Sequence, residues 1–240
     1  MRLLFIMTAV AITTLVGCAT IPMHSPQTPR TIESSAPPES GDHPQATTTR
    51  PLSCCRQSPA ERNRLNIVRS ATRLVGATTI TSEGRRITYD CAGVTRAVFL
   101  KHGVDLYDGG DDDSAANGVR LIYNHVRRLG VLHQDTLPRP GDLVFFDNTW
   151  DFNGDGRLND PLTHVGIVER TDSDGTVVFI SRVAGAVERY RMNLSHPHVH
   201  KTADGRLLND YIRRKLPSDP PGTGRLTGEL FASYGTRLPL

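Results

Sequence analysis

Tyr89-Asp90-Cys91-Ala92-Gly93-Val94 sets a cysteine where a helix begins. Asp90 is of the residue class that accepts hydrogen bonds from the free N–H groups of a first helical turn. Val94, Ala97 and Val98 recur behind it at helical spacing, and Lys101, His102 and Gly103 are end signals. A thiol in that position lies where the helix dipole and unpaired N–H groups favour a thiolate. Hydrolysing an amide with a thiol requires the thiolate, a base that then acts as an acid toward the leaving amine, and donors for the oxyanion. Cys91 offers the nucleophile and its own N–H is a natural oxyanion donor. His164, opening the strand-like run Thr163-His164-Val165-Gly166-Ile167-Val168, offers the base.

Several elements must hold these groups together. A helix is expected from Glu61 to Val75, with Leu65, Val68, Ala71, Thr72 and Val75 on one face and Gly76 as its stop. After the Cys91 helix, a third is expected from Ser114 onward, capped by Asp113 and ended by Gly130, with Val119, Ile122, Tyr123, Val126 and Leu129 on one face. From Gly141 the character switches to short β-rich runs: Asp142 to Asp147, His164 to Arg170, Thr176 to Arg182, Ala186 to Met192 and Leu208 to Arg213. Helices followed by antiparallel strands predict an α+β domain.

Three blocks, Asp90-Cys91-Ala92-Gly93, Pro140-Gly141-Asp142-Leu143 and Thr163-His164-Val165-Gly166, closely resemble in order the motifs of the NlpC-type cell-wall peptidases. The resemblance covers about residues 62 to 215. It implies a papain-like fold in which N-terminal helices pack on a small antiparallel barrel-like sheet. It also implies catalysis by Cys91 and His164 without a cofactor, and a substrate in the stem peptide of peptidoglycan, cut between D-isoglutamate and the following diamino acid. Tyr89 matches an aromatic common in the family and would add a hydroxyl donor to the oxyanion site. The family's third residue, often a histidine, falls here on Ser181 in Phe179-Ile180-Ser181-Arg182, and Ala92 stands where the family usually has serine. A serine can accept from a ring N–H but stabilises an imidazolium less than a carboxylate does. Ser181 and Ala92 motivate a second reading, a peptidoglycan-binding lipoprotein that no longer turns over. A third is another thiol enzyme of the same broad architecture, a CHAP-type amidase or an acyltransferase, distinguished by the product, since an amidase would release the whole stem peptide.

Between Phe146 and His164 lies Asp151-Phe152-Asn153-Gly154-Asp155-Gly156-Arg157-Leu158-Asn159-Asp160. Oxygen ligands at alternate positions with glycine at the sixth resemble an EF-hand calcium loop. Asp151, Asn153 and Asp155 would ligate by side chains, Arg157 by its carbonyl and Asn159 directly or through water. The twelfth place is Leu162 instead of Glu, with Asp160 as the nearby substitute. A structural Ca²⁺ there would fix the loop beside His164 and hold Trp150 over the substrate groove. An alternative is a turn-rich loop of Asn-Gly and Asp-Gly steps. His196-Pro197-His198-Val199-His200 has no helical pairing and no carboxylate or cysteine cluster beside it, which argues against a metal site.

The N-terminus predicts where this chemistry is used. Arg2 precedes an apolar run to Val16 that is too short for a lasting membrane span but suits an export signal. Leu15-Val16-Gly17-Cys18 looks like a lipoprotein lipobox, which implies cleavage before an acylated Cys18. The expected division is a signal peptide at 1–17, a lipidated, disordered tether at 18–58, the peptidase domain at 59–216 and a tail at 217–240. Ala19 after Cys18 points to the outer membrane, on its periplasmic side, in an organism that has one. Cys54 and Cys55 lie in the tether and are not needed by Cys91. The 240 residues carry a formal charge of +3 with scattered basic residues, which argues against a nucleic-acid partner. Peptidoglycan and the membrane anchor are the expected partners, and the sequence carries no signal of oligomeric state.

Overall fold

In the computed structural model, residues 57–81, 87–109, 117–135 and 137–239 are described. The proposed signal peptide, Cys18, Cys54, Cys55 and most of the tether lie outside them. Among the described residues three helices come first: α1 (Pro59–Thr72), α2 (Cys91–Leu100) and α3 (Gly118–Leu129). Six strands follow: β1 (Val131–His133), β2 (Leu143–Phe146), β3 (His164–Thr171), β4 (Val177–Val183), β5 (Ala186–Met192) and β6 (Phe231–Thr236). The domain is α+β, and its strands form one antiparallel sheet in the order β1-β6-β2-β3-β4-β5.

The helix starts follow local chemistry. Ser58 accepts from the Glu61 N–H and Pro59 occupies the first turn, so α1 begins earlier than expected. Its buried residues are Ile67, Ser70 and Ala71, while Leu65 is exposed, a rotation from the predicted face. For α3, the Asn117 side chain accepts from the Arg120 N–H and supplies the cap. The expected cap Asp113 lies outside the described residues. Val119, Ile122 and Val126 are buried as their spacing requires, but Leu129, in the last turn, is exposed.

The sheet is not the barrel-like one expected: it is open, with β1 and β5 as its edges. The run Leu208 to Arg213, expected as a strand, makes no ladder, and only an isolated bridge joins Tyr211 to Leu226. It lies over one sheet face, held by the buried Asn209, whose amide donates to the His196 and Val199 carbonyls at 2.8 Å each. The stretch 217–240, expected as a tail, supplies β6, which pairs with both β1 and β2.

Alternation along the strands sends side chains to two apolar layers. Phe145, Ile167 and Ile180 face the helices, where Ile67, Val98, Phe99 and Ile122 complete one cluster. Phe146, Val168 and Phe179 face away, with Tyr234 of β6 beside them, and are covered by Ile212 and Leu230. Asp142, from the Pro-Gly-Asp-Leu block, ties these parts together. Its buried carboxylate receives Arg64 from α1 at 2.6 Å, the Thr236 hydroxyl from β6 at 2.6 Å and the Arg139 N–H at 2.8 Å.

Candidate active site

Cys91 is the first residue of α2. Asp90 caps the helix: its Oδ1 accepts from the Gly93 N–H at 2.7 Å and its carbonyl accepts from the Val94 N–H. Of the first-turn donors, the N–H groups of Cys91 and Ala92 are left for a thiolate or an oxyanion. Glycine at 93 is required by a close approach, because a Cβ there would lie 1.8 Å from the Thr88 carbonyl oxygen. Gly118 serves α3 in the same way. A Cβ there would come within 2.8 Å of the Ala92 Cβ, so its absence lets the start of α3 pack against the turn bearing the thiol.

His164 opens β3, and β3 pairs with β4, which carries Ser181. Ser181 Oγ lies 2.8 Å from His164 Nε2 and donates to the Val165 carbonyl at 2.7 Å. A hydroxyl has one proton. Since that proton is given to Val165, Ser181 can only accept from His164, which places the ring proton on Nε2. The neutral imidazole therefore keeps its lone pair on Nδ1, as a general base requires.

Cys91 is a free thiol, and it lines with His164 a groove of about 300 Å³. Asp90, Asn117, Trp150, Thr163 and Arg182 also line it. Asn117 donates to the Leu162 carbonyl, joining the start of α3 to the segment that leads into His164. Trp150 is half-exposed and its indole N–H donates to the Thr163 carbonyl. Tyr89 is not placed as the family resemblance implies. Its hydroxyl proton is given to the Ala77 carbonyl, so it is not free for an oxyanion, and its ring instead lies under the Arg182 guanidinium.

Burial pushes the Cys91 thiol up to about 11, against the opposing pull of the Val165 N–H and with the Asp90 charge adding to the rise. Burial, then the positive charge of Arg182, pushes His164 down to about 3. The resting pair is thus thiol and neutral imidazole, not the thiolate expected from the helix start, because burial outweighs the first-turn N–H groups, and the proton must move during attack. His164 also links stability to acid. Its folded pKa lies below the ordinary value of 6.5, so the unfolded chain takes up the proton first and stability is lost as pH falls from about 6.5 toward 3. The slope from one such group is up to about 1.4 kcal/mol per pH unit. In denaturant titrations between these limits, His164→Gln is expected to show a shallower loss than the wild type; parallel curves would contradict a buried neutral His164.

The candidate calcium loop is mostly exposed. Asp151 accepts from the Gly154 and Gly156 N–H groups, Asn153 from the Asp155 N–H, and Asp155 from the Arg157 N–H and the Asn159 amide. Among the described residues no three His, Cys, Asp or Glu side chains gather as a metal-ligand set. Asp160 differs from its neighbours in being buried. Its Oδ1 accepts from the Asn153 N–H while its Oδ2 has no partner. The histidine-rich run is occupied otherwise: His198 pairs with Glu229 and His200 Nδ1 donates to the Asn209 carbonyl.

Arg182 is a charged groove residue that its local sequence gives no role. It follows Ser181 directly, but its significance depends on Tyr89, which is distant in the chain. Among the described residues no helix is long and apolar enough to cross a membrane. No protein-family model matches the chain and no curated protein matches it, which leaves the groove's own residues as the ground for assigning a function.

Proposed function

We propose that the chain is a papain-like cysteine peptidase of the NlpC type that cuts peptidoglycan stem peptides between D-isoglutamate and the following diamino acid. The observation that carries this reading is the Ser181–His164 contact, which orients a neutral imidazole with Nδ1 as base in the groove that holds the free thiol of Cys91. A helix carrying the nucleophile against an antiparallel sheet carrying the base supports the papain-like layout. As the amide enters, Nδ1 takes the thiol proton and sulfur attacks the carbonyl carbon. The N–H groups of Cys91 and Ala92 receive the oxyanion, and the imidazolium returns its proton to the leaving amine. Water, deprotonated by the same base, then releases the acyl group from sulfur. Ser181 keeps the ring oriented throughout by accepting from Nε2–H.

In this reading Cys18 is acylated and the segment to 58 tethers the domain at the periplasmic face of the outer membrane. Digestion of defined muropeptides, read by mass spectrometry, tests the assignment. Cleavage inside the stem peptide is expected; release of the intact stem from the glycan would instead identify an amidase. The raised pKa of Cys91 and the uncharged Ser181 favour one competitor, a wall-binding lipoprotein without turnover, for which bound but uncut muropeptide is the signature.

We also propose that the 151–160 loop takes a structural Ca²⁺, on the strength of the unpaired buried Oδ2 of Asp160 beside the oxygen-rich loop. Ca²⁺ at about a hundred times its Kd contributes about 2.7 kcal/mol, which at 2–4 °C per kcal/mol raises Tm by about 5–10 °C. Asp160→Asn is expected to weaken that rise. An unchanged Tm on adding Ca²⁺ to chelated protein would remove the ion from the account.

A further inference from the structure

Among the described arginines Arg182 alone combines the lack of an ion pair with a buried nitrogen that has no acceptor. Arg64 pairs with Asp142, Arg96 with Asp105 and Arg213 with Asp219. Arg182 makes no ion pair or hydrogen bond with the described residues, and its Nε is buried without an acceptor. It is nevertheless firmly placed. Its backbone belongs to β4 in register with Val187 of β5, and its guanidinium sits 4.9 Å from the centre of the Tyr89 ring. That ring is itself fixed by the hydroxyl bond to Ala77. The other charged residue of the groove, Asp90, spends its Oδ1 on the Gly93 N–H and makes no ion pair with Arg182.

A firmly placed guanidinium whose buried Nε–H has no acceptor is costly to keep. The missing partner has the chemistry of a carboxylate, which a planar guanidinium fork binds by paired hydrogen bonds. Building on the peptidase reading, we infer that Arg182 is a subsite for a free carboxylate of the peptide substrate, carried close to the scissile amide. The subsite sets specificity: a stem peptide whose carboxylate is amidated loses the ionic contact and is discriminated against.

The same placement couples recognition to catalysis. The charge of Arg182 disfavours protonation of His164 in the empty groove. A substrate carboxylate that neutralises this charge makes His164 a better base when the correct peptide is bound. Arg182 is in this respect a positioning and tuning residue, because the reacting atoms belong to Cys91 and His164.

The test uses the full-length chain and two synthetic stem peptides that differ only in a carboxylate or carboxamide beside the scissile bond. Binding is read by calorimetry in the Cys91→Ala background, which needs no turnover. Charge-assisted hydrogen bonds of ordinary strength correspond to about 10- to 100-fold in affinity. The acid is expected to bind tighter than the amide by that factor, and Arg182→Gln is expected to remove the preference by weakening the acid alone. With Cys91 present, Arg182→Gln is expected to move the His164-dependent limb of the pH–rate profile to higher pH. Equal binding of acid and amide by the parent, no binding of either, or an equal loss of both in Arg182→Gln would overturn the subsite. Selective binding without cleavage would retain the subsite and overturn the peptidase.

Discussion

Replacing Cys91 by alanine is expected to abolish cleavage of stem peptides while leaving the fold intact. Alanine keeps the Cβ and removes only the sulfur, so Asp90, Gly93 and the cap bonds at the start of α2 stay untouched. The loss in kcat is expected on the order of 10⁶-fold, as when a nucleophile is removed from a cooperating catalytic set. Circular dichroism and Tm should stay close to the parent. The wild-type thiol should also have a distinct reactivity profile. Because burial holds it near 11, alkylation in the absence of substrate should be slow at neutral pH and should rise through the alkaline range. Cleavage retained in Cys91→Ala would place the chemistry elsewhere.

Ending the chain after residue 216 is expected to abolish folding. The strand that would be lost, β6, lies between β1 and β2 and pairs with both, so its removal opens two unpaired edges inside the sheet. Leu226, Leu230 and Tyr234 leave with it, all of them buried. Each large apolar side chain contributes about 1.5–3 kcal/mol, against a total stability of about 5–15 kcal/mol for a domain. The Thr236 hydroxyl is also lost from Asp142, and Arg237 from His125. The comparison is between chains 57–240 and 57–216 by near-ultraviolet circular dichroism and cooperative denaturant unfolding. A cooperative transition in the shorter chain would contradict the role assigned to β6.

The parts of this structure that were legible in the sequence are those whose signals are local. Asp90 before Cys91 marked the start of α2 because a cap acts within three residues. The alternation in Ala186–Met192 identified β5 to its bounds, and His164 was placed correctly at the mouth of β3. The strands that escaped are those whose reasons are distant. β1 has three residues and an exposed Val131, and β6 reads Phe-Ala-Ser-Tyr-Gly-Thr, with small residues where alternation would need large ones. Neither makes sense without the other. Leu208 to Arg213 misled because Leu208 and Ile212 are buried without a ladder, Ile212 against the sheet, where Asn209 makes side-chain bonds to the His196 and Val199 carbonyls instead. The site shows the same division. Cys91 and His164 stood out by their settings, whereas the Tyr89 ring under Arg182 and the Ser181 proton on Val165 depend on contacts that only folding creates.

The central claim is that Cys91 attacks the peptide with its proton passing to His164 Nδ1, and it is tested most directly by trapping the acyl group on sulfur. The full-length chain is mixed with a defined muropeptide, quenched in acid within the first turnover, and its intact mass and Cys91-containing fragment are read by mass spectrometry. The expected result is a mass increase equal to the acyl half of the cleaved stem peptide, confined to Cys91 and absent in Cys91→Ala. Stem-peptide cleavage with no adduct and undiminished in Cys91→Ala, or uncut muropeptide in a folded sample, would contradict it.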